Sequence, residues 1–146
     1  MKVVIQRVNS ACVRVEGEIV GQIGQGLLLL VGFGPQDTLQ ALKPLCQKIL
    51  NMRLFPREKN KFDLSILDTK GEILVVSQFT LYADTSKGRR PEFFGALEPQ
   101  TAKELYSHML EEFRNAGATR VESGIFGAYM QVSSENDGPV TILLES

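Results

Sequence analysis

Residues 26–33 read Gly-Leu-Leu-Leu-Leu-Val-Gly-Phe, and residues 72–81 read Glu-Ile-Leu-Val-Val-Ser-Gln-Phe-Thr-Leu. Each contains an apolar run about one strand long, without regular alternation of polar and apolar side chains. A half-exposed strand alternates in this way, whereas a strand buried on both faces does not. The two runs therefore predict central strands of a sheet that is covered on both sides.

Strand patterns also occur before and after these runs. Residues 3–15 alternate apolar with polar side chains, as expected of half-buried antiparallel strands. Further strands are predicted near 120–123, 128–134 and 139–144. The tripeptide Asn136-Asp137-Gly138 is interpreted as a tight turn between the last two.

Two helices are predicted, each after one of the buried strands. Asp37 is interpreted as the N-cap of the first helix, and Pro44 predicts that this helix either starts late or is kinked. Pro99 suits the first turn of the second helix, and Gly117 suits its end. The apolar stripe of the first helix consists of Leu39, Leu42, Cys46, Ile49 and Leu50. The stripe of the second helix consists of Ala102, Leu105, Tyr106, Met109, Leu110 and Phe113.

These elements predict an α/β fold with three layers, helix on sheet on sheet. It is built mostly from antiparallel strands with two main helices. The helices can cover only one face of the central strands, so a second sheet is needed for the other face. A chain of 146 residues is long enough for one domain with its own core. No repeat or linker divides the chain, so a single domain over residues 1–146 is expected.

The composition excludes several classes of site. The single histidine, His108, cannot supply a His-rich zinc site, and Cys12 and Cys46 lack the spacing of a disulfide framework or a zinc site. No apolar run approaches the ~18 residues of a membrane span, and the N-terminus does not resemble a signal peptide. We therefore expect a cytoplasmic protein with no metal, no cofactor and no membrane contact.

The net charge of −1 hides an asymmetry along the chain. Residues 1–97 carry 13 basic and 9 acidic side chains, whereas residues 98–146 carry 3 and 8. The basic side chains include two clusters, at 59–61 and at 87–90. Such clusters are candidates for contact with phosphates, and a solvated surface is the alternative.

The segment Ser77-Gln78-Phe79-Thr80 closes the second buried strand and opens onto a loop, where α/β folds place ligands. It could supply a nucleophile or oxyanion donors, or it could be ordinary strand packing. Hydroxyl groups are weak nucleophiles without an adjacent base, and the one histidine falls on the polar side of a helix. If the segment is catalytic, its backbone N–H groups are therefore better candidates than its hydroxyls.

Three further features could contribute to a site. Phe126 and Met130 could sandwich a base, with Gly127 letting a ring approach the backbone, although core packing is the alternative. Arg7 interrupts an apolar strand and needs a partner there, so it is predicted to be a structural anchor. The pair Gly138-Pro139 follows the predicted turn and begins a strand, which by itself indicates only a turn.

Together these segments resemble the D-aminoacyl-tRNA deacylases of the bacterial and eukaryotic type, over nearly the whole chain. Each motif is weak alone, but their common order and spacing are specific. The sequence departs from many members at Phe62-Asp63, where those have Met-Asn. The matching motifs are Val3-Val4-Ile5-Gln6-Arg7-Val8, Gly24-Gln25-Gly26-Leu27-Leu28, Ser77-Gln78-Phe79-Thr80-Leu81, Gly88-Arg89-Arg90-Pro91-Glu92-Phe93, Phe126-Gly127-Ala128-x-Met130 and Asn136-Asp137-Gly138-Pro139-Val140-Thr141.

The resemblance implies an enzyme that hydrolyses the ester between a D-amino acid and the terminal adenosine of tRNA. It also implies removal of glycine, rejection of L-aminoacyl-tRNA, and hence chirality proofreading in translation. The active site would lie at the interface of a homodimer. By resemblance, Gly138-Pro139 is a cis pair that enters the partner's pocket and Arg7 helps to hold it. Catalysis would fall to Ser77, Gln78, Phe79 and Thr80, and substrate binding to Arg7, Phe126, Gly127 and Met130.

Two mechanisms and two other functions stay open. The ribose hydroxyl beside the ester could orient water while the N–H groups of Phe79 and Thr80 hold the oxyanion, or Thr80 could be a covalent nucleophile. A related branch of deacylases removes L-alanine from tRNA, but it changes the Ser-Gln-Phe-Thr segment that is intact here. A non-catalytic RNA-binding module would use the same cations, Lys59, Lys61, Arg89 and Arg90.

Overall fold

The structure is a computed structural model that describes residues 1–58 and 60–146. The strands in this part of the chain are β1 (Lys2–Val15), β2 (Glu18–Ile23), β3 (Gly26–Gly32), β4 (Phe55–Arg57), β5 (Asn60–Leu64), β6 (Glu72–Ser77), β7 (Arg120–Ser123) and β8 (Gln131–Glu145). The helices are α1 (Leu39–Asn51), α2 (Ile66–Thr69) and α3 (Pro99–Asn115), together with a 3₁₀ helix at Phe79–Tyr82. No helix among these residues is long and apolar enough to cross a membrane.

The main sheet has the strand order β2-β1-β3-β6-β7, and β8 pairs along β1. Strand β1 is antiparallel to β2, β3 and β8, whereas β3, β6 and β7 run parallel to one another. Parallel neighbours need a crossover, and α1 and α3 lie in the two connections. The carboxyl ends of β3 and β6 therefore lie side by side, with Val31 opposite Ser77.

The two central strands are buried on both faces, as their apolar runs predict. Leu27, Leu29, Ile73 and Val75 point into a core that also contains the apolar stripes of α1 and α3, except for Leu39, which is exposed at the start of α1. The opposite faces of the same strands pack in a second core with side chains of β1 and β2, formed by Val8, Ala11, Val13, Ile23, Leu28, Leu74 and Val76. The predicted layers of helix, sheet and sheet are confirmed.

The start of α1 differs from the prediction. Thr38 occupies the N-cap position, and the helix runs from Leu39 through Pro44 without a late start. Asp37 is not the cap. Its carboxylate instead accepts from the amino group of Met1 at 2.5 Å and from the backbone N–H of Gly34 at 2.7 Å. The Tyr82 hydroxyl also donates to this carboxylate, at 3.4 Å, and no side chain caps the helix.

The predicted tight turn at 136–138 is wrong. Residues 131–145 form one strand, β8, that pairs with β1 on both sides of this segment. Gln6 lies opposite Thr141 and Val8 opposite Asn136, so residues 137–140 face Arg7 alone. Both halves of β8 share one partner strand, so the chain does not reverse, and the extra residues are accommodated as a bulge. We call residues 137–140 the β8 bulge.

Candidate active site

A pocket of about 590 Å³ lies at the carboxyl ends of β3 and β6. Its volume is in the range of small-molecule sites, and its position is the one at which α/β sheets bind ligands. Most of its lining is apolar. The lining residues are Val31, Gly32, Phe33, Val76, Ser77, Gln78, Phe79, Phe93, Ala96, Leu97, Glu98, Pro99, Ala102, Phe126, Gly127, Ala128, Tyr129, Met130 and Val132.

One wall of the pocket is the end of β6. The backbone N–H of Gln78 donates to the carbonyl of Val31 at 2.7 Å, and the 3₁₀ helix begins at the next residue. The first N–H groups of a helix have no partner within it. Accordingly, the N–H groups of Phe79 and Thr80 donate to no acceptor among the described residues. Two adjacent backbone donors are thus left free beside the pocket.

Among the residues that the structure describes, the hydroxyl of Thr80 lacks the adjacent base that a catalytic nucleophile needs. Its oxygen accepts from the side-chain amide of Gln78 at 2.5 Å. His108 lies on α3, exposed, with its Nδ1 3.4 Å from a carboxylate oxygen of Glu111. Ser77, Gln78 and Phe79 line the pocket, whereas Thr80 adjoins this wall without being one of the lining residues. No imidazole therefore stands beside this hydroxyl to activate it.

The opposite wall is the loop between β7 and β8. The N–H of Gly124 donates to the carbonyl of Val75 at 3.0 Å, which ties this loop to β6. The ring of Phe126 packs against Tyr106 with centroids 5.7 Å apart. Gly127 has φ +78° and open space where a side chain would be. Phe126, Gly127 and Met130 thus face the same pocket as the end of β6.

Arg7 anchors the β8 bulge by its contacts with Asp137. Only 7% of this residue is exposed. Its Nε donates to the Asp137 carbonyl at 3.2 Å and lies 2.9 Å from the Asp137 carboxylate, while Nη1 donates to the Leu54 carbonyl at 2.5 Å. The cation in an apolar strand is therefore paired and bonded to carbonyls, as burial requires.

The bulge carries Gly138 and Pro139 at its exposed tip, joined by a cis peptide bond. Neither residue lines the pocket, and neither does Arg7. Gly138 is six residues from Val132, a pocket residue on the same strand, which is roughly 20 Å of extended chain. The structure brings the Ser77-Thr80 and Phe126-Met130 segments together, and it leaves the Gly138-Pro139 pair outside the pocket of its own chain.

The predicted basic clusters lie on the surface. Lys61 and residues 87–90 are exposed, while Lys59 lies outside the described residues. The loop containing 87–90 reaches the pocket through Phe93, whose ring meets that of Phe79 edge-on at 5.0 Å.

The described acidic side chains do not form a metal site. The carboxylate of Asp63 lies 3.1 Å from the guanidinium of Arg57. No group of three or more His, Cys, Asp or Glu side chains suitable for a metal occurs in the described part of the chain.

The cysteines differ from each other. Cys46 is fully buried, and burial raises the pKa of its thiol to about 12, so it remains a neutral core side chain. Cys12 is only half-buried, with its sulfur 3.1 Å from Nη1 of Arg14.

Several pocket residues were absent from the sequence-based candidates. The sequence predicts only a helix start at Pro99, yet this residue lines the pocket together with Leu97 and Phe33. The backbone N–H of Leu97 donates to the carbonyl of Phe33 at 2.8 Å, which places the start of α3 beside the end of β3. No local pattern signals this contact, because it joins segments more than 60 positions apart.

The chain is similar to known proteins along nearly its whole length. A family model described as D-Tyr-tRNA(Tyr) deacylase matches residues 4–145. A D-aminoacyl-tRNA deacylase of Thermosipho melanesiensis is 53% identical over 146 residues, which cover 100% of this chain and 97% of that protein.

Two solved structures share the fold. One, described as "c-Myc DNA Unwinding Element Binding Protein", is 44% identical with a TM-score of 0.93, covering 100% of this chain and 99% of the other. A probable eukaryotic D-amino acid tRNA deacylase is 20% identical with a TM-score of 0.86, covering 98% and 97%. Since the family model and a relative with over half of its residues identical both span essentially the whole chain, this chain belongs to the D-Tyr-tRNA(Tyr) deacylase family of aminoacyl-tRNA hydrolases.

Proposed function

We propose that this chain hydrolyses the ester between a D-amino acid, or glycine, and the terminal adenosine of tRNA, and that it rejects L-aminoacyl-tRNA. It would act as one domain over residues 1–146, in the cytoplasm, as a chirality proofreader of translation. The observation that carries this proposal is the pocket, where the free N–H groups of Phe79 and Thr80 adjoin one wall and the Phe126-Met130 loop forms another.

The adenosine is assigned to the Phe126-Met130 side of the pocket. A base offers flat faces that pack well between a phenyl ring and a thioether. Gly127 leaves room for the base because no side chain projects there. The pocket of about 590 Å³ is large enough for a nucleoside with an amino-acid ester.

The ester is assigned to the end of β6. Water attacks the ester carbonyl, negative charge collects on the carbonyl oxygen, and the N–H groups of Phe79 and Thr80 hold that charge. One such donor is worth ~3–4 kcal/mol in other enzymes. The neighbouring ribose hydroxyl orients the water and relays the water's proton to the departing ribose oxygen as the carbon–oxygen bond breaks. Side-chain bases are then unnecessary.

The β8 bulge is assigned the rejection of L-aminoacyl groups. Gly138 has no side chain, Pro139 is rigid, and Arg7 holds the segment from below, so main-chain atoms would meet the substrate's α-carbon. An L side chain would collide with them, whereas a hydrogen in that position would fit. Specificity of this kind is directed against L residues and not toward any one D residue.

The bulge lies outside the pocket of its own chain, so it could act on a substrate only in the pocket of a second copy. We therefore propose a homodimer in which each bulge enters the partner's pocket. Among the described residues β8 pairs only with β1, so its outer edge is open along fifteen residues. An open edge of this length with exposed Val132 and Leu143 favours burial in a subunit contact.

The roles of Thr80 and of the ribose hydroxyl can be separated. Thr80→Ala removes a hydroxyl but keeps the backbone N–H, so we expect kcat to stay within about threefold of the parent enzyme. A substrate with a 2′-deoxy terminal adenosine should react at least about 100-fold more slowly, as expected when a general acid–base group is removed. Single-turnover hydrolysis of D-tyrosyl-tRNA measures both effects. The reverse pattern would identify Thr80 as the nucleophile.

The proposal as a whole is tested by turnover of D-tyrosyl-tRNA with purified protein in excess chelator. We expect multiple turnovers with release of free tRNA. Binding of the tRNA without hydrolysis would indicate an RNA-binding module instead, and fast hydrolysis of L-alanyl-tRNA would indicate the related branch.

A further inference from the structure

The loop between the 3₁₀ helix and α3 is closed at its neck by a pair of backbone hydrogen bonds. The N–H of Asp84 donates to the carbonyl of Glu92 at 2.7 Å, and the N–H of Glu92 donates to the carbonyl of Asp84 at 2.9 Å. Within the loop, the N–H of Ser86 donates to the Asp84 carboxylate at 2.8 Å. This bond lowers the pKa of Asp84, so its carboxylate is already engaged by the backbone. The hydrogen bonds between Asp84 and Glu92 thus hold the two ends of the loop together.

Three basic side chains of this loop have no carboxylate partner among the described residues. Lys87, Arg89 and Arg90 are all exposed, and no carboxylate lies within 4.0 Å of their charged nitrogens in the described part of the chain. By contrast, the basic side chains of Arg53 and Arg57 share the carboxylate of Asp63. These three cations outnumber the two carboxylates at the neck of the loop, Asp84 and Glu92, and a locally positive surface of this kind attracts a polyanion.

Exposed aromatic rings accompany these cations at the mouth of the pocket. Phe93 lines the pocket, and the next residue, Phe94, is 90% exposed. Tyr129 lines the opposite wall of the pocket and is 88% exposed. The exposed ring of Phe94 is therefore available to stack on a base. Cations beside exposed rings are the combination that binds single-stranded nucleic acid, through phosphates and stacked bases.

We propose that Lys87, Arg89, Arg90 and Phe94 form a platform for the single-stranded 3′ end of tRNA, upstream of the adenosine in the pocket. The cations hold backbone phosphates and the Phe94 ring stacks on one base. This rests on the proposed function, which puts the terminal adenosine at Phe126-Met130. The preceding nucleotides must leave through the pocket mouth, and the Phe93–Phe79 contact places the loop beside that mouth.

The test compares two substrates that differ only in the upstream nucleotides, D-tyrosyl-tRNA and the D-tyrosyl ester of adenosine alone. For the double variant Arg89→Gln/Arg90→Gln we expect kcat/KM to fall at least about tenfold on the tRNA and to stay unchanged on the adenosine ester. Two lost phosphate contacts should also reduce the slope of log(kcat/KM) against log[salt] by about 1.4. Phe94→Ala should cost about tenfold on the tRNA alone. Arg114→Gln, on the exposed end of α3, is the matched control.

Each outcome supports or contradicts the platform. Equal losses on both substrates would mean that the loop only shapes the pocket. An unchanged salt slope, or an equal loss in Arg114→Gln, would mean that local phosphate contacts are absent. If Phe94→Ala sediments as a smaller assembly than the parent protein, the Phe94 ring belongs to a subunit contact instead. Failure of the parent protein to hydrolyse either ester would overturn the proposed function itself, which is a separate result.

Discussion

Replacing Arg7 by methionine is expected to release the β8 bulge and with it the rejection of L-aminoacyl-tRNA. The substitution keeps most of the apolar stem but removes the donors to the Asp137 carbonyl and carboxylate and to the Leu54 carbonyl. Hydrogen bonds from a charged donor are worth about 1.5–3 kcal/mol each, and water partly replaces those to the half-exposed Asp137. We expect the free energy of unfolding to fall by about 3 kcal/mol.

Loss of the anchor should also change the choice between L and D substrates. A bulge that is no longer held cannot exclude an L side chain by collision, so hydrolysis of L-tyrosyl-tRNA should rise at least about tenfold relative to D-tyrosyl-tRNA. Urea unfolding and hydrolysis of the two esters measure the two effects.

Arg14→Met is the matched control, because Arg14 lies on the same strand and contacts Cys12 instead of the bulge. The assignment of Arg7 as anchor is wrong if both variants keep the parent's ratio of L to D hydrolysis.

Replacing Gly26 by alanine is expected to prevent folding. Gly26 begins β3 opposite Glu72 of β6, and an added Cβ would lie 2.7 Å from the carbonyl carbon and amide nitrogen of Glu72, with the oxygen closer still. These are backbone atoms of a buried parallel pair, so relief requires separating the two central strands. We expect a loss of more than about 4 kcal/mol, a large part of the stability of an ordinary domain.

Gly24→Ala provides the comparison two residues earlier. There the nearest atom to an added Cβ is a side-chain oxygen of Glu72 at 3.9 Å, so the unfolding free energy should change by no more than about 0.5 kcal/mol. Soluble yield, circular dichroism and urea midpoints distinguish the two variants. Equal midpoints would mean that β3 and β6 do not approach as closely as described.

The central strands could be predicted because their chemistry is local. A run such as 26–33 has no polar side chain to turn toward water, so it must be covered on both faces whatever surrounds it. Arg7 was predictable as an anchor for a similar reason, since a cation in an apolar strand needs partners there. In both cases the physical requirement follows from the residues themselves.

The features that were mispredicted or missed depend on distant partners. Asn136-Asp137-Gly138 has the composition of a hairpin turn, and only the pairing of both halves of β8 with β1 makes it part of a bulge. Asp37 has the chemistry of an N-cap, but the amino group of Met1 engages it instead. One wall of the pocket is tied to β6 by the bond from Gly124 to Val75, which no local pattern reveals.

The central claim is that main-chain atoms select against one chirality without reading the amino-acid side chain. The most direct measurement is the hydrolysis rate of D-tyrosyl-, D-aspartyl-, glycyl-, L-tyrosyl- and L-alanyl-tRNA under identical conditions with metal chelated. We expect the two D esters and the glycyl ester to react within about tenfold of one another, and both L esters at least about 1,000-fold more slowly, a difference of about 4 kcal/mol. Comparable hydrolysis of either L ester, or activity confined to D-tyrosyl-tRNA, would contradict the account.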